Sequence, residues 1–347
     1  MMRKKSEQII HMLRVIGDGL QDKPVVGLSK DEAVLMLDEG RQYGVDVLLY
    51  YLMKKNGILP SVTKTYRNVL VSNFVAQQNL GKLLHQMEND GIHVVVLKGY
   101  SLAMRYPDAS CRMSCDADLL INQNEEKSVF DYLLGNGFIL QGKRPRTGCD
   151  SQWYREDVGT IELHIALFNP LNARCLFSPV IDEIQLYGEA RDTDIGSVWM
   201  LSDLDNLLYT FLHLAKHYLI GNMTLQMIVD FWLLYRECEN ACEYLSKCAD
   251  QIGQSDLLNA LICFVDKYFS SESAPCDSQT EQDADFIYDY LFGLNSNNVY
   301  EKFLKKRIAQ AGKADFVGAY LFCCWKTRMI MQRLKHCLER LRKLIIR

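Results

Sequence analysis

The sequence predicts an α+β fold in which a small mixed sheet with helices is flanked by helical segments on both sides. Three observations support this. Apolar residues recur at helical spacing over residues 1–90, short β-branched runs bounded by turn residues follow between 91 and 168, and helical spacing returns from about residue 200. We therefore expect an N-terminal helical segment over 1–90, an α+β core over 91–199 and a C-terminal helical domain over 200–347.

The composition is typical of an ordinary soluble globular protein. The chain has 347 residues, of which 48% are hydrophobic and 24% charged, and it can form one large domain or two to three modest ones. A formal net charge of -4 gives no overall reason to expect nucleic acid as the main partner. Because no long apolar run and no signal peptide is visible, we expect no stable membrane insertion and a cytoplasmic location. The cysteines lack paired zinc spacings, so we expect reduced, mostly buried thiols.

The N-terminal segment contains a helix start and a helix break. Ser29 and Glu32 have the spacing of a capping box, in which Ser29 caps the helix and Glu32 binds back to the Ser29 amide. Gly57 and Pro60 interrupt the helical pattern, and a long helix is predicted from about 61 to 90.

The core begins at Gly91, where the pattern changes to short strands. His93–Leu97 is a β-branched run typical of a buried strand, and a short helix is predicted after Gly99. Asp116–Ile121 is predicted to be a second strand, and a helix follows over about 124–134. Further strands are predicted at 138–140, 152–155 and 160–167.

The C-terminal domain is predicted to consist of amphipathic helices. One apolar face is formed by Leu204, Leu207, Leu208, Phe211 and Leu212, and another by Ile228, Phe231, Trp232 and Tyr235. The polar, acidic stretch 270–285 is predicted to be a linker. A basic amphipathic helix is predicted over about 315–347. We interpret its charged residues as a face exposed to solvent. The alternative is that this helix binds an anionic acceptor, RNA or a membrane surface.

Two acidic residues occupy alternate positions of the second predicted strand. Because side chains two apart in a strand point to the same face, the Asp116 and Asp118 carboxylates project together while Ala117 packs on the other side. Neighbouring carboxylates repel unless a cation lies between them, and Mg²⁺ prefers such oxygen ligands. Glu162 lies between two apolar residues of another predicted strand, from which a third carboxylate would complete a two-metal site. A solvent-facing acid pair at a strand end is the alternative interpretation.

Lys98 and Gly99 lie where the first predicted strand passes into a helix. Glycine lets the backbone approach a phosphate closely, the helix N-terminus offers free amides, and the lysine adds a positive charge. These residues therefore indicate a phosphate site upstream of the acids.

The same residues resemble an uncharacterised bacterial family within the polymerase-beta nucleotidyltransferase superfamily. The resemblance is carried by Leu97-Lys98-Gly99, Tyr106-Pro107, Arg112, the run Asp116–Ile121, and Ile161-Glu162-Leu163-His164. It extends over most of the chain, including Leu212–His217 and Val229-Asp230, and it is most specific between 94 and 121.

The resemblance implies a polymerase-beta-type core and metal-dependent transfer of a nucleotidyl group from a nucleoside triphosphate such as ATP. It implies that Asp116, Asp118 and Glu162 are catalytic and hold Mg²⁺ or Mn²⁺, and that Lys98, Gly99, Ser101 and Arg112 bind the nucleotide. In the superfamily a glycine followed by glycine or serine opens the phosphate-binding helix, whereas here Tyr100 follows Gly99.

Several polar residues allow both a functional and a structural interpretation. Arg112 either reaches a phosphate or is a solvated loop residue, and His164 either orients a metal ligand or is a packed structural histidine. His213 and His217 share one helical face, and Asp230 follows on the next helix. We interpret these three residues as pinning the helical domain to the sheet or lining the acceptor side of the cleft. A histidine-centred metal site is the rival interpretation, although the spacing is not that of an HExxH motif.

We therefore predict transfer of a nucleoside monophosphate to a hydroxyl acceptor, with Glu162 as the candidate base for the acceptor proton. A small molecule, a protein side chain and an RNA end are all compatible acceptors. A non-catalytic binding or assembly module that keeps the fold is the second hypothesis, and a metal hydrolase centred on His213 and His217 is the third. The presence of all three acids argues against the second.

Overall fold

The computed structural model describes residues 2–25, 27–58, 60–114, 116–142, 149–169, 173–270 and 276–293. The basic helix predicted over 315–347 lies outside these ranges. Among the helices within them, none combines the length and the apolar character that crossing a membrane requires.

Within the described residues four helices precede the sheet, as the helical spacing of the first 90 residues predicts. They are α1 (Met2–Leu20), α2 (Lys30–Arg41), α3 (Asp46–Lys55) and α4 (Thr63–Asn89). The capping box at the start of α2 is confirmed. The Glu32 amide donates to the Ser29 hydroxyl at 3.3 Å, and the Ser29 amide donates to the Glu32 carboxylate at 3.0 Å.

The described strands form a mixed seven-stranded sheet with the order β3-β4-β5-β2-β1-β7-β6. They are β1 (Val95–Val96), β2 (Asp116–Leu120), β3 (Ile139–Gln141), β4 (Asp150–Arg155), β5 (Gly159–His164), β6 (Glu189–Thr193) and β7 (Gly196–Met200). Helices α5 (Tyr100–Ala103) and α6 (Glu126–Gly135) connect β1 to β2 and β2 to β3. Strand β2 lies inside the sheet, parallel to β5 and antiparallel to β1. The predicted α+β class with a mixed sheet is therefore confirmed.

The hairpin of β6 and β7 was not predicted from the sequence. Strand β6 lies at the sheet edge and carries Glu189, Arg191 and Asp192, so it lacks the apolar alternation that identifies a half-buried strand. Charged side chains are common on edge strands, where they discourage pairing with another chain. Strand β7 buries only Val198 and Met200.

Alternate residues of β2, and Ile121 directly after it, face two different apolar clusters. Leu119 and Ile121 belong to a cluster formed by the sheet, the second half of α4 and helix α6. Leu120 belongs to a larger cluster that joins the N-terminal helices to the C-terminal ones. Because Asp116 and Asp118 share the face of Leu120, both acids point toward the helical side of the sheet.

The chain is helical again after residue 200, as predicted. The described helices are α7 (Asp203–Ile220), α8 (Leu225–Glu237), α9 (Ala241–Gln251), α10 (Ser255–Tyr268) and α11 (Ser278–Phe292). The predicted linker over 270–285 is wrong in its second half, because α11 begins within it. The Asp277 carboxylate accepts hydrogen bonds from the amides of Gln279 and Thr280, both at 3.0 Å. This cap and the buried face of the helix stabilise α11, although the first half of its sequence is polar.

Candidate active site

Three carboxylates converge on one face of the sheet. Asp116 and Asp118 lie on β2, and Glu162 lies on the parallel neighbour β5. The register pairs Asp118 with Glu162 and Asp116 with Thr160. Because residues paired in register share a face, all three acids border the same cleft.

Asp118 is the most buried of these acids, with 4% of its surface exposed. Its Oδ1 atom forms a salt bridge with Lys98 Nζ at 3.3 Å and accepts a hydrogen bond from His164 Nε2 at 2.9 Å. Burial acts to raise the pKa of Asp118, but Lys98 and His164 outweigh burial and lower this pKa to about 2. The carboxylate is therefore ionised at neutral pH.

His164 contacts the acid strand from β5. Burial acts to lower the pKa of His164, but hydrogen bonds to Asp118 and Cys149 and the negative charge of Asp118 together raise this pKa to about 9. The Nε2 atom therefore carries a proton, and its N–H group donates a hydrogen bond to the carboxylate. This hydrogen bond is the contact that His164 needs to orient the Asp118 carboxylate.

Asp116 and Glu162 are half-buried and have no salt-bridge partner among the described residues. Burial, with the charge of Asp118, raises the pKa of Asp116. Burial also raises the pKa of Glu162, although His164 opposes the rise. Neither carboxylate therefore has a direct ion-pair partner among the described residues, although Lys98 and His164 lie near enough to lower both pKa values in part.

The acid cluster fits a divalent cation. Ligand atoms of Asp118, Glu162 and His164 lie within 4.8 Å of one another, and Asp116 lines the cleft beside this group. Carboxylate oxygens are the ligands that Mg²⁺ and Mn²⁺ prefer, and a cation would supply the charge that Asp116 and Glu162 lack.

Gly99 brings the backbone close to the acids. It connects β1 to α5 with a φ of 48°, a left-handed conformation that favours glycine. A Cβ atom at this position would lie 3.3 Å from the carbonyl oxygen of Asp116. Gly99 also lines the cleft, as its predicted approach to a phosphate requires.

Two residues predicted to bind nucleotide are engaged within the protein. Ser101 is buried, and both its hydroxyl and its amide donate to the carbonyl oxygen of Lys98, at 3.3 and 3.0 Å. It is not among the residues that line the cleft, and a contact between Ser101 and the nucleotide stays a prediction. The Lys98 amine is not a free charge either, because it pairs with Asp118.

Arg112 joins the loop before β2 to helix α8. Its Nε and Nη2 atoms donate to the two carboxylate oxygens of Asp230, each at 2.9 Å, and the two side chains are 8% and 4% exposed. The Tyr106 hydroxyl donates to Asp230 Oδ1 at 2.8 Å. The interpretation of Arg112 as a solvated loop residue is therefore wrong. Its Nη1 atom is buried, has no hydrogen-bond partner among the described residues, and belongs to a side chain that borders the cleft.

His213 and His217 line the cleft from α7, with ring centroids 4.4 Å apart. Burial and the nearby Lys98 lower the pKa of His213 well below its usual value, and burial with Lys216 lowers the pKa of His217 to about 4. Both imidazoles are therefore neutral at pH 7. In the described part of the chain no third ligand gathers with this pair at metal-binding spacing, which disfavours a histidine-centred metal site.

The cleft between the sheet and helices α7 and α8, here called the wide cleft, has a volume of about 370 Å³. It brings together most of the predicted site residues: Lys98, Gly99, Arg112, Asp116, Asp118, Glu162, His213, His217 and Asp230. Its positive and negative side chains are partly paired, Lys98 with Asp118 and Arg112 with Asp230. Asp116 and Glu162, which have no salt-bridge partner among the described residues, line the side of the cleft formed by the sheet.

Two polar residues of the helical wall were not predicted. Thr210 lines the wide cleft, and its hydroxyl is buried without a hydrogen-bond partner among the described residues. Tyr209 lies beside Lys98, whose amine is 5.8 Å from the ring centroid. Both residues precede His213 by three or four positions, so helical spacing alone places them on the same side of α7.

Two solved structures are similar to part of this chain. The antibiotic-resistance factor ANT(2'')-Ia is 12% identical with a TM-score of 0.38, and the match covers 53% of this chain and 94% of that chain. An antigenic nucleotidyltransferase-like protein from Paracoccidioides brasiliensis is 15% identical with a TM-score of 0.33, and the match covers 59% and 95% of the two chains. No curated protein matches the chain.

A family model described as "uncharacterised nucleotidyltransferase" matches residues 35–270. The matched region contains α3, α4, the whole sheet, helices α7 to α10 and every candidate site residue named above. Because it covers more than half of the 347 residues, this protein belongs to that family of nucleotidyltransferases.

Proposed function

We propose that the protein transfers a nucleoside monophosphate from a nucleoside triphosphate to a hydroxyl acceptor, with divalent metal ions as cofactors. One observation carries the proposal: three carboxylates, two of them without an ion-pair partner among the described residues, share a cleft with a buried guanidinium that has an unpaired N–H group. Membership of a nucleotidyltransferase family supports nucleotidyl transfer in general.

Asp116, Asp118 and Glu162 are the residues that would hold Mg²⁺ or Mn²⁺. The bound ions would neutralise phosphate charge and lower the pKa of the acceptor hydroxyl. His164 orients Asp118 through its hydrogen bond, and Lys98 keeps the same carboxylate ionised. A ligand held in this way presents a fixed oxygen to the cleft.

Arg112 and Gly99 are the proposed phosphate contacts. Asp230 fixes the Arg112 guanidinium with two hydrogen bonds, so the remaining Nη1 group has one orientation in which to meet a phosphate oxygen. A charge-assisted bond to phosphate would satisfy this buried donor. Gly99 allows close approach of the backbone, and Lys98 adds positive charge nearby although it is paired.

Glu162 is the proposed base for the acceptor proton. Burial raises its pKa above the usual carboxyl value, so Glu162 accepts a proton more readily than an exposed glutamate does. Its partner in register, Asp118, has a pKa of about 2 and is a poor base. The two carboxylates therefore suit different roles, one as a base and one as a permanent anion.

The proposal is tested by following the α-phosphate. The protein is incubated with Mg²⁺, each nucleoside triphosphate labelled at the α-phosphate, and fractions of a cell lysate. We expect label in an acceptor-bound product together with release of pyrophosphate, and loss of both in Asp116→Asn. Asp131→Asn, on the exposed side of α6, serves as the matched control and keeps activity. Equal transfer by Asp116→Asn and the wild type would remove the carboxylates from the mechanism.

A further inference from the structure

A second cleft, here called the narrow cleft, opens beside Asp116. It has a volume of about 160 Å³ and lies between α4 and the first residues of β2 and β5. It meets the wide cleft at Gly99, Arg112, Ser114 and Asp116, which line both. Of the three acids proposed to hold metal, Asp116 is the one that borders both clefts. A molecule bound in one cleft therefore approaches the acids from a different side than a molecule bound in the other.

The residues that line the narrow cleft alone carry no charge. Leu80 and Val158 give it an apolar side, while Asn73, Gln77 and Thr160 give it a polar side. A charged ligand would leave water here without finding a counter-charge on these walls, which is unfavourable. The lining therefore suits an uncharged ligand.

Gln77 presents a hydrogen-bond acceptor that has no partner. Its Nε2 atom donates to the carbonyl oxygen of Ala109 at 3.0 Å, which fixes the orientation of the amide. Its Oε1 atom is buried and accepts no hydrogen bond from the described residues. An O–H or N–H group of a ligand would satisfy this oxygen.

We propose that the narrow cleft binds the acceptor and that the acceptor is a small, uncharged polyol, an inference that rests on the proposed function. In an in-line transfer the acceptor oxygen and the leaving oxygen lie on opposite sides of the α-phosphorus. Lys98 lines the wide cleft and Arg112 stands at the junction, so the pyrophosphate side of the reaction lies in the wide cleft. The acceptor hydroxyl then approaches Asp116 from the narrow cleft. His213 and His217 face the nucleotide rather than the acceptor.

The size of the narrow cleft matches a small acceptor. Its volume is below the roughly 300–1,000 Å³ of pockets that hold drug-sized molecules, and it suits a compound the size of a monosaccharide. One hydroxyl of a polyol attacks, a second donates to Gln77 Oε1, and the C–H surface of the carbon skeleton packs on Leu80 and Val158.

In the transfer step the acceptor oxygen forms a bond to the α-phosphorus, and the bond from that phosphorus to the bridging oxygen of the pyrophosphate breaks. The hydroxyl reaches the acids at the junction beside Asp116, where its proton goes to the Glu162 carboxylate of the neighbouring strand. The electron pair of the broken bond leaves with the pyrophosphate. The products are a polyol nucleoside phosphodiester and pyrophosphate.

The first experiment blocks the narrow cleft. Ala76→Phe places a ring in it from α4, and Val75→Phe places the same ring on the exposed face of that helix, where Val75 is 48% exposed. Calorimetry with Mg²⁺ and an α,β-methylene nucleoside triphosphate measures nucleotide affinity. We expect unchanged affinity in both variants and loss of polyol transfer in Ala76→Phe alone. Loss of nucleotide affinity in Ala76→Phe would assign the narrow cleft to the nucleotide and overturn the inference.

The second experiment tests the acceptor class with α-labelled nucleoside triphosphate. Glycerol, ribitol, glucose and inositol are compared with glucosamine and glucose 6-phosphate. We expect label on uncharged polyols, and we expect Gln77→Leu to raise the polyol KM about tenfold or more without changing the nucleotide KM. Gln78→Leu, which alters a neighbour outside the narrow cleft, changes neither KM.

Equal labelling of the charged compounds, or labelling of protein or RNA alone, would overturn the acceptor class. So would a protein that binds the Mg²⁺ nucleotide complex and labels none of the polyols. If the wild type neither binds that complex nor releases pyrophosphate, the proposed function itself has failed, and the two failures are therefore distinguishable.

Discussion

Asp230 on α8 holds the Arg112 guanidinium through two parallel hydrogen bonds of 2.9 Å, although the two residues are 118 positions apart. The pair is buried and ties the loop before the acidic strand to the C-terminal helices. Arg112 keeps one unpaired group and borders the cleft, so Asp230 fixes the orientation of the guanidinium that we propose as a phosphate contact. We therefore regard Asp230 as a positioning residue.

We expect Asp230→Ala to lower the free energy of unfolding by about 3–5 kcal/mol, because it leaves a buried guanidinium without its partner. The nucleotide KM should rise more than kcat falls, since Arg112 is no longer held toward the phosphate. Chemical denaturation and steady-state kinetics measure the two effects. Asp38→Ala, which removes the exposed carboxylate of the Asp38–Arg41 pair, is the control and should change the stability little. Similar stabilities of the two variants would show that the Arg112–Asp230 bond does not anchor the fold.

Lys98→Ala is expected to reduce both stability and nucleotide use. Lys98 and Asp118 are 16% and 6% exposed, so removing the lysine leaves a buried carboxylate without one of its two counter-charges. We expect a loss of about 3–5 kcal/mol in the free energy of unfolding, and a rise in the pKa of Asp118 that carboxyl NMR can follow. Lys55→Ala, at an exposed pair with Asp22, is the control. A Lys98→Ala variant with wild-type stability and impaired nucleotide binding would instead make Lys98 a free phosphate ligand.

His164→Gln tests whether the histidine orients a metal ligand. The variant lacks the charged imidazole that donates to Asp118, so we expect the Mn²⁺ affinity in the presence of nucleotide to fall about 10–100-fold. Electron paramagnetic resonance of free Mn²⁺ measures this affinity. His85→Gln, at an exposed position of α4, should leave the affinity unchanged. An unchanged affinity in His164→Gln together with lower thermal stability would make the histidine purely structural.

The placement of the acids could be predicted from the sequence because it depends on local rules. Alternation along a strand puts Asp116 and Asp118 on one face, and the same rule applies to Glu162 between its apolar neighbours. The capping box at Ser29 is local in the same sense. The predicted site also required the strand of Glu162 to lie beside that of the two aspartates, and the register of Asp118 and Glu162 shows that it does.

The partners of the charged side chains could not be predicted, because they depend on contacts distant in sequence. Nothing local indicates that Arg112 meets Asp230, that Lys98 pairs with Asp118 rather than with a phosphate, or that the Ser101 donors are used by the backbone. Gln77 is another such residue. Its unpaired oxygen becomes apparent only when α4 packs beside the start of β2 and β5.

The most direct test of the carboxylate site is the thermal stabilisation that metal and nucleotide produce together. The wild type, Glu162→Gln and a His213→Gln, His217→Gln double variant are heated with Mg²⁺ or Mn²⁺, with an α,β-methylene nucleoside triphosphate, and with both. We predict that the wild type gains far more from both ligands than from either alone, because the triphosphate supplies metal ligands that the acids lack. Glu162→Gln should lose most of this joint gain, and the histidine variant should keep it. A joint gain that survives in Glu162→Gln and disappears in the histidine variant would contradict the carboxylate mechanism.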